Sequence, residues 1–198
     1  MIEWRVLDMP KIAEIERTPN PNAMKFVLKE PLTYGASRSY DSKDQANGDA
    51  LAKALFEIPH VTNVFYVDQW ITVTQDGGAE WNELLKQVAV PIREAPAAEA
   101  QSQSYAGFGG GHPALDDETL TDEERHKLAL ITDLIDERVR PYLQGDGGDL
   151  YVVQLEDNVL KVHYQGACGS CPSSLSATLT GIEGLVQSVA PELQVVPV

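Results

Sequence analysis

The sequence predicts an α+β protein, built as two small α+β domains joined by a flexible linker, and three observations carry that expectation. The 198 residues exceed one average domain of about 150. Residues 94–114 lose all apolar periodicity: Glu94-Ala95-Pro96-Ala97-Ala98 runs through Ser102-Gln103-Ser104 into Gly107-Phe108-Gly109-Gly110-Gly111, a small, polar, glycine-rich composition that suits a linker. On either side of it, segments of period two alternate with segments of helical period. The expected division is therefore 1–93, linker 94–114 and 115–198, with no clear internal repeat.

Within 1–93, Thr18-Pro19-Asn20-Pro21-Asn22 marks a turn, and Met24-Lys25-Phe26-Val27-Leu28 after it reads as a strand. Ala50 to Phe56 reads as a helix, with Leu51 and Leu55 one turn apart. Val61 to Val67 and Trp70 to Thr74 are β-branched and aromatic, two strands joined by a tight turn at Asp68-Gln69. Trp81, Leu84, Leu85 and Val88 then follow the i, i+3, i+4, i+7 pattern of an amphipathic helix. Trp4, Trp70 and Trp81 are expected in the core, and His60 stands alone beside Pro59. This half has no cysteine and reads as a packing or partner-docking module.

Within 115–198 the expected order is helix, strand, strand, helix, strand. Thr121-Asp122-Glu123-Glu124 fits a capping box, in which the Thr side chain and the Glu three residues on satisfy free N–H groups at a helix start. Leu128, Ile131, Ile135, Val139 and Tyr142 form one stripe, with Pro141 as the kink or stop. Gly145-Asp146-Gly147-Gly148-Asp149 is a turn. Tyr151, Val153 and Leu155, then Leu160, Val162 and Tyr164, alternate around Asp157-Asn158 as a hairpin with one buried face. A helix starts at Pro172 with the stripe Leu175, Leu179, Ile182, Val186 and Val189, and Gln194-Val195-Val196 is a last short strand.

Charge excludes some functions. The formal net charge is −15; residues 116–198 carry 5 basic and 15 acidic side chains, and residues 1–115 carry 10 and 15. Such a surface repels phosphate backbones and anionic lipid heads, so neither nucleic acid nor membrane is an expected partner. No apolar run approaches the roughly 20 residues of a membrane helix. Met1-Ile2-Glu3-Trp4-Arg5-Val6 has neither a secretory signal pattern nor the Arg/Ser richness of a transit peptide, so a cytoplasmic location is expected.

The chemistry lies in Gly166-Ala167-Cys168-Gly169-Ser170-Cys171-Pro172, which leaves a strand and enters a helix. A helix start offers free N–H groups and the positive end of its dipole, and both favour thiolate over thiol. Thiolates bind soft metals and iron–sulfur clusters. Gly166 and Gly169 let the backbone bend tightly around the sulfur atoms. Four readings compete. An iron–sulfur cluster takes four thiolates, and this chain has two cysteines in total, so an all-cysteine site requires a second chain, most simply in a symmetric dimer. Zinc suffers the same shortage, which His112, His126 or His163 could make up within one chain. Thiol–disulfide exchange has the right local setting, but the 27 residues after Cys171 are too few for the strands and helices of a thioredoxin-type domain. The last reading is two inert core thiols.

Arg140-Pro141-Tyr142-Leu143-Gln144-Gly145-Asp146-Gly147-Gly148-Asp149, followed by Gly166 through Ser174, resembles the C-terminal domain of the Nfu, or NifU-like, iron–sulfur scaffolds. Thr178-Leu179 and Gly181-Ile182-Glu183 resemble that domain's last helix, and Thr18 through Phe26 resembles the signature of the Nfu N-terminal domain. The sequence departs where the family often has a lysine soon after Thr-Leu; here Thr180 follows. The resemblance implies a scaffold or carrier rather than an enzyme. It implies a [4Fe–4S] cluster held as cofactor and metal site by Cys168 and Cys171 of each subunit of a homodimer, received from upstream cluster-assembly proteins and passed to apo-proteins. It implies that the N-terminal domain recognises target proteins. Asp146 and Asp149 match the family's pattern, and a structural role is expected for both: glycines permit the turn and the carboxylates cap nearby N–H groups. A dithiol oxidoreductase and a zinc-binding adaptor are the alternatives, both colourless.

Overall fold

The computed structural model describes residues 12–97, 111–169 and 172–198, the last without the side chains of 172–177. Trp4 and most of the expected linker, residues 98–110, lie outside the described residues. The chain divides into two compact units, one on each side of position 110. Both mix helix and sheet, as an α+β reading requires. No described helix is long and apolar enough to cross a membrane.

The N-terminal unit is a five-stranded antiparallel sheet in the order β1-β2-β5-β4-β3, from β1 (Ile12–Arg17), β2 (Ala23–Leu28), β3 (Ser37–Tyr40), β4 (Val61–Val67) and β5 (Trp70–Gln75). Helices α1 (Ala50–Phe56) and α2 (Trp81–Glu94) supply Leu51, Leu55, Leu84, Val88 and Ile92 to one core with Phe26, Val64, Tyr66, Ile71 and Val73 of the sheet. The predicted hairpin turn holds Asp68 at φ 47°, a left-handed conformation that a short polar side chain tolerates. Two strands escaped the sequence reading, β1 and β3. Both are edge strands, β3 is mostly polar, and β1 is half charged with its pairing interrupted by an irregularity between Ile12 and Glu14. Trp70 and Trp81 are half-buried rather than core residues: Trp70 packs edge-on to Phe65 with its ring centroid 5.2 Å away, and Trp81 Nε1 donates to the Pro21 carbonyl at 2.9 Å.

In the C-terminal unit, α3 (Asp122–Arg138) carries the predicted capping box on Thr121 and Glu124. The helix stops at Arg138, and a short α4 (Arg140–Gly145) follows with Pro141 in its first turn. Proline has no N–H to continue the ladder, so the chain breaks and turns there. The break corrects the predicted stripe: Leu128, Ile131 and Ile135 are buried, but Tyr142 is exposed and Leu143 takes the inward position. Strands β6 (Gly148–Glu156) and β7 (Val159–Gly166) form the predicted hairpin, with Asp157 at φ 48° and Asn158 at φ 63° as a two-residue turn of primed type. The start of β6 is buried on both faces, Tyr151 as predicted and its neighbours Leu150 and Val152 as well. Leu150 and Val152 enter the core, and a register shift between Val152 and Gln154 then brings Leu155 against it. On β7, Leu160, Val162 and Tyr164 face inward as expected. Helix α5 (Pro172–Gln187) crosses back so that β8 (Gln194–Pro197) pairs parallel to β7. Ile182 and Val186 are buried, Val189 is exposed, and Ala190 and Leu193 complete the stripe in its place.

Candidate functional site

The segment between α4 and β6 and the loop after β7 lie against each other, because both flank the open end of the hairpin. Gly148 pairs with Gly166 across it, and Ala167 N–H donates to the Gly147 carbonyl at 3.1 Å. Gly147 and Gly166 hold φ of 81° and 65°, a region open to glycine at no steric cost. Gly148 is required for a second reason. A Cβ placed on it would meet Cys168 Sγ at 2.6 Å and the Gln165 carbonyl at 2.7 Å, so the bare backbone is the seat of the Cys168 thiol. The loop then turns over Tyr164: Gly169 N–H donates to the Gly166 carbonyl at 3.2 Å, and a Cβ on Gly169 would meet the Tyr164 carbonyl at 3.0 Å.

Cys168 is 5% exposed and belongs to the core cluster, while Gly169 beside it is exposed. Open access to this sulfur, expected for a ligand that gives up its cargo, is not what the structure shows. A cysteine side chain packs as a small hydrophobe, and the glycine seat accepts it on the core side. Cys171, the second predicted site residue, lies outside the described residues.

The carboxylate of Asp149 anchors the seat. It is fully buried and forms a two-pronged ion pair with Arg140, Nε to Oδ1 at 2.8 Å and Nη2 to Oδ2 at 2.9 Å. The Tyr151 hydroxyl donates to Oδ2 at 3.1 Å, Gln144 Nε2 donates to the same atom at 3.3 Å, and Leu150 N–H donates to Oδ1 at 2.8 Å. Arg140 also lies over the Tyr151 ring, 4.8 Å from its centroid, and donates to Asp136 Oδ1 at 3.1 Å. Burial opposes the guanidinium charge, but the hydrogen bonds and charge of Asp149 outweigh it and push the Arg140 pKa up. The expected structural role of Asp149 is thus present in its bond from the Leu150 N–H, and the partly buried Arg140 adds a partner whose role sequence reasoning missed. Asp146 is exposed.

His112 extends this network. Its Nδ1 accepts from the Val152 N–H at 2.8 Å, so Nε2 carries the proton and faces Asp136 Oδ1 at 3.0 Å. Burial lowers its pKa against the opposing pull of Asp136. With both ring nitrogens engaged, His112 is a structural residue, and the 3-10 turn Pro113–Asp116 that follows it buries Ala114. His126 is exposed on α3, and His163 Nδ1 lies 2.8 Å from the Val198 carbonyl oxygen. Among the described residues no group of three or more His, Cys, Asp or Glu side chains can hold a metal ion.

Tyr164 is 6% exposed and packs in the same cluster as Cys168. Its hydroxyl oxygen is buried with no hydrogen-bond partner among the described residues. Leaving such a group unpaired costs about 1–3 kcal/mol. Burial first, and then the charge of a Cys168 thiolate, raises the Tyr164 pKa, so the hydroxyl stays protonated and within electrostatic reach of that sulfur.

In the N-terminal unit the Thr18–Asn22 segment is a self-closed turn: Thr18 Oγ1 donates to the Asn20 carbonyl at 2.9 Å, and Asn22 N–H donates to Asn20 Oδ1 at 3.0 Å. His60 is not alone, since its Nδ1 lies 3.0 Å from Asp76 Oδ1.

Comparison with known proteins adds a second line of observation. The family profile described as "Scaffold protein Nfu/NifU N terminal" matches residues 12–99, and the one described as "NifU-like domain" matches residues 131–197. The chain is 31% identical over 187 residues to a human protein named "NFU1 iron-sulfur cluster scaffold homolog, mitochondrial", covering 91% of this chain and 69% of that one. Proteins of the same name from Drosophila ananassae and Drosophila persimilis are 31% and 33% identical over 91% of this chain. The chain spans 62% of the length of each of these fly relatives.

Proposed function

This chain belongs to the Nfu/NifU family of iron–sulfur cluster scaffolds, and from that premise we propose that it is a carrier holding one [4Fe–4S] cluster between two copies of itself. Cys168 and Cys171 of each copy supply the four thiolates a cubane needs. The NifU-like part, expected at 115–198, carries the cargo; the Nfu N-terminal part, expected at 1–93, docks recipients; and residues 94–114 tether the two. The cluster arrives from upstream assembly proteins and leaves to apo-proteins by ligand exchange. Each iron–sulfur bond to this chain breaks as one to a recipient thiolate forms, with no change of oxidation state. No bond in an organic substrate is made, so the protein is a carrier and not an enzyme. A cytoplasmic setting, where thiols stay reduced, is part of this reading.

One observation carries it: the thiol of Cys168 is seated on the bare backbone of Gly148, a cradle that any side chain would fill. The residues fit the cargo. Cys168 is a soft sulfur donor, and the loop that carries it meets solvent at the exposed Gly169.

Anaerobic reconstitution of the full chain with iron and sulfide tests the proposal. The expected product is brown, contains about four irons per two chains as one cubane requires, and has the mass of a dimer. Cys168→Ala and Cys171→Ala should each fold and each fail to hold a cluster. A colourless monomer whose thiols cycle to a disulfide would overturn the reading in favour of a dithiol oxidoreductase. Stoichiometric zinc in a colourless protein would instead favour an adaptor.

A further inference from the structure

We propose that His112 and the strap it begins guard the open edge of β6, so that two metal-free chains cannot join edge to edge and copies meet only through the cluster. The guard stands on geometry alone; its purpose, a dimer made conditional on cargo, rests on the scaffold reading.

Strand β6 has β7 on one side, and among the described residues no strand pairs with its other side. Such an edge presents a row of N–H and C=O groups, a template on which a second copy can lay its own β6 around a two-fold axis. In an antiparallel ladder the outward groups fall on alternate residues. Val152 is one of them, since its N–H meets His112 Nδ1 at 2.8 Å, and Leu150 lies on the same side, in unbroken register from Gly148 to Val152. The Leu150 N–H is taken by Asp149 Oδ1 at 2.8 Å. These two outward donors therefore end on side-chain acceptors, where a docking strand would need them for its carbonyls. Beyond Val152 the register shift interrupts the edge.

The acceptor at Val152 is held firmly. His112 is 3% exposed and its Nε2 faces Asp136. The turn Pro113–Asp116 lies against β6, and Ala114 enters the core. Arg125 of α3 pins the strap by donating to the Leu115 and Asp117 carbonyls, both at 3.1 Å. The far edge of the sheet is blunted by a different device. Gln194 and Val198 donate inward to β7, so Pro197 takes an outward position and offers no N–H there. With both edges closed, sheet pairing is removed as a route to a dimer. The strap precedes residue 131, where the match to the NifU-like profile begins, so membership of the family assigns it no role.

The test is the oligomeric state of the full metal-free chain, followed by sedimentation velocity over a range of concentrations, with amide hydrogen exchange to locate any contact. The wild type should stay monomeric. His112→Ala should self-associate about thirtyfold more tightly than the wild type, because a two-fold pairing no longer has to break one strap bond on each copy. Its dimer should be colourless, indifferent to an iron chelator and protected at the Leu150 and Val152 amides. His112→Asn, which sets an amide oxygen where Nδ1 stood, should restore the monomer. Arg125→Ala keeps His112 but loosens the strap, and it should shift association in the same direction by less; where His112→Ala does not fold, this variant decides. Variants that stay monomeric with faster exchange at Val152 would overturn the inference, and so would a His112→Asn protein that associates as His112→Ala does. A wild type that dimerises through β6 without metal would overturn it too. The scaffold reading stands or falls separately, on whether the wild type takes up a cluster.

Discussion

Among the described residues each unit holds an arginine–aspartate–tyrosine cluster around a buried carboxylate, and the two are put to different use. In the N-terminal unit, Asp49 caps α1 by accepting from the Ala52 N–H at 2.9 Å, and its Oδ2 accepts from Arg38 at 2.8 Å, from Tyr40 at 3.0 Å and from Tyr66. That cluster ties α1 to β4 and to the edge strand β3. In the C-terminal unit, Asp149 with Arg140 and Tyr151 sits at the root of β6, next to the glycine on which Cys168 rests. The residue types are the same. What separates a fastening from a foundation is that only the second cluster adjoins the glycine seat of the thiol.

The largest expected contrast comes from removing each carboxylate. The Arg140 side chain is 11% exposed and that of Arg38 is 29% exposed, so water can more readily rescue the latter when its partner is lost. Stranding a buried charge costs about 3–5 kcal/mol, and Asp149→Ala should approach that in urea unfolding of the C-terminal unit, with loss of cluster loading. Asp49→Ala should cost about 2 kcal/mol, close to the worth of a good helix cap, in the N-terminal unit alone and with loading intact. All three tryptophans precede position 110 in the sequence, and Trp70 and Trp81 belong to the N-terminal unit, so tryptophan fluorescence reads that unit and the cluster chromophore reads the other. Equal loss of loading in both variants would erase the distinction.

A smaller effect sharpens it to a single methyl group. Gly148→Ala drives a Cβ into Cys168 Sγ and the Gln165 carbonyl, while a Cβ on Gly145 meets nothing within 4 Å. Overpacking of this kind costs about 1–3 kcal/mol, so the first variant should lose cluster binding and the second should match the wild type in both midpoint and loading. A Gly148→Ala protein that loads normally would show that Cys168 leaves its seat in the loaded state.

The two units should also part under acid. His112 is neutral in the fold, accepting from Val152, with its pKa lowered by burial. The unfolded chain takes up its proton near the ordinary value of 6.5, while the fold resists to a lower pH. Stability from His112 is therefore complete above pH 6.5 and declines as the pH falls below it. Around His112 stand Asp136, Arg140, Asp149 and the ring of Tyr151. For Asp49, burial alone would raise the pKa, but the Ala52 N–H, Tyr66, Arg38 and Tyr40 outweigh it and hold it below 3.8. Its contribution is lost only as the pH falls through and below 3.8. Urea midpoints between pH 7 and 4.5 should fall for the C-terminal unit, read by amide NMR, and stay level for tryptophan fluorescence. His112→Gln should flatten the first slope; parallel slopes in the two units would contradict the assignment.

What the sequence disclosed follows from the range of the interaction involved. Helix α1, the β4–β5 hairpin and the capping box are local, and their residues announced them at the right positions. The polar edge strand β3 carried no apolar alternation to read, and strict alternation on Tyr151 and Val153 did not show that Leu150 and Val152 are buried as well. At the site, the cysteines and glycines stood out because few other residues can do their work. Arg140 entered the sequence reading only as the first residue of a motif, and His112 as a candidate zinc ligand near the end of the linker. Their partners, Asp149 and Val152, are 9 and 40 positions away and meet them only in the fold.

The smallest effect tests whether the C-terminal unit depends on its site network more than on ordinary helix ends. Thr121 Oγ1 accepts from the Glu124 N–H at 3.3 Å, and Glu124 Oε2 accepts in return from the Thr121 N–H at 2.9 Å, all at an exposed end of α3. The length of the bond to Thr121 Oγ1 and the solvent around it limit its worth, and Thr121→Ala should cost about 1 kcal/mol. Because α3 also supplies Asp136 to His112 and Arg140, fraying that spread along the helix would loosen the foundation of Cys168 as well. Between them lie almost four turns, with Leu128 and Ile131 buried along the way. The loss should therefore stay at the end: a lower urea midpoint with unchanged rates of cluster loss to a chelator. A Thr121→Ala protein that sheds its cluster faster would mean that α3 transmits strain to the thiol seat, and that the C-terminal network is a property of the whole unit.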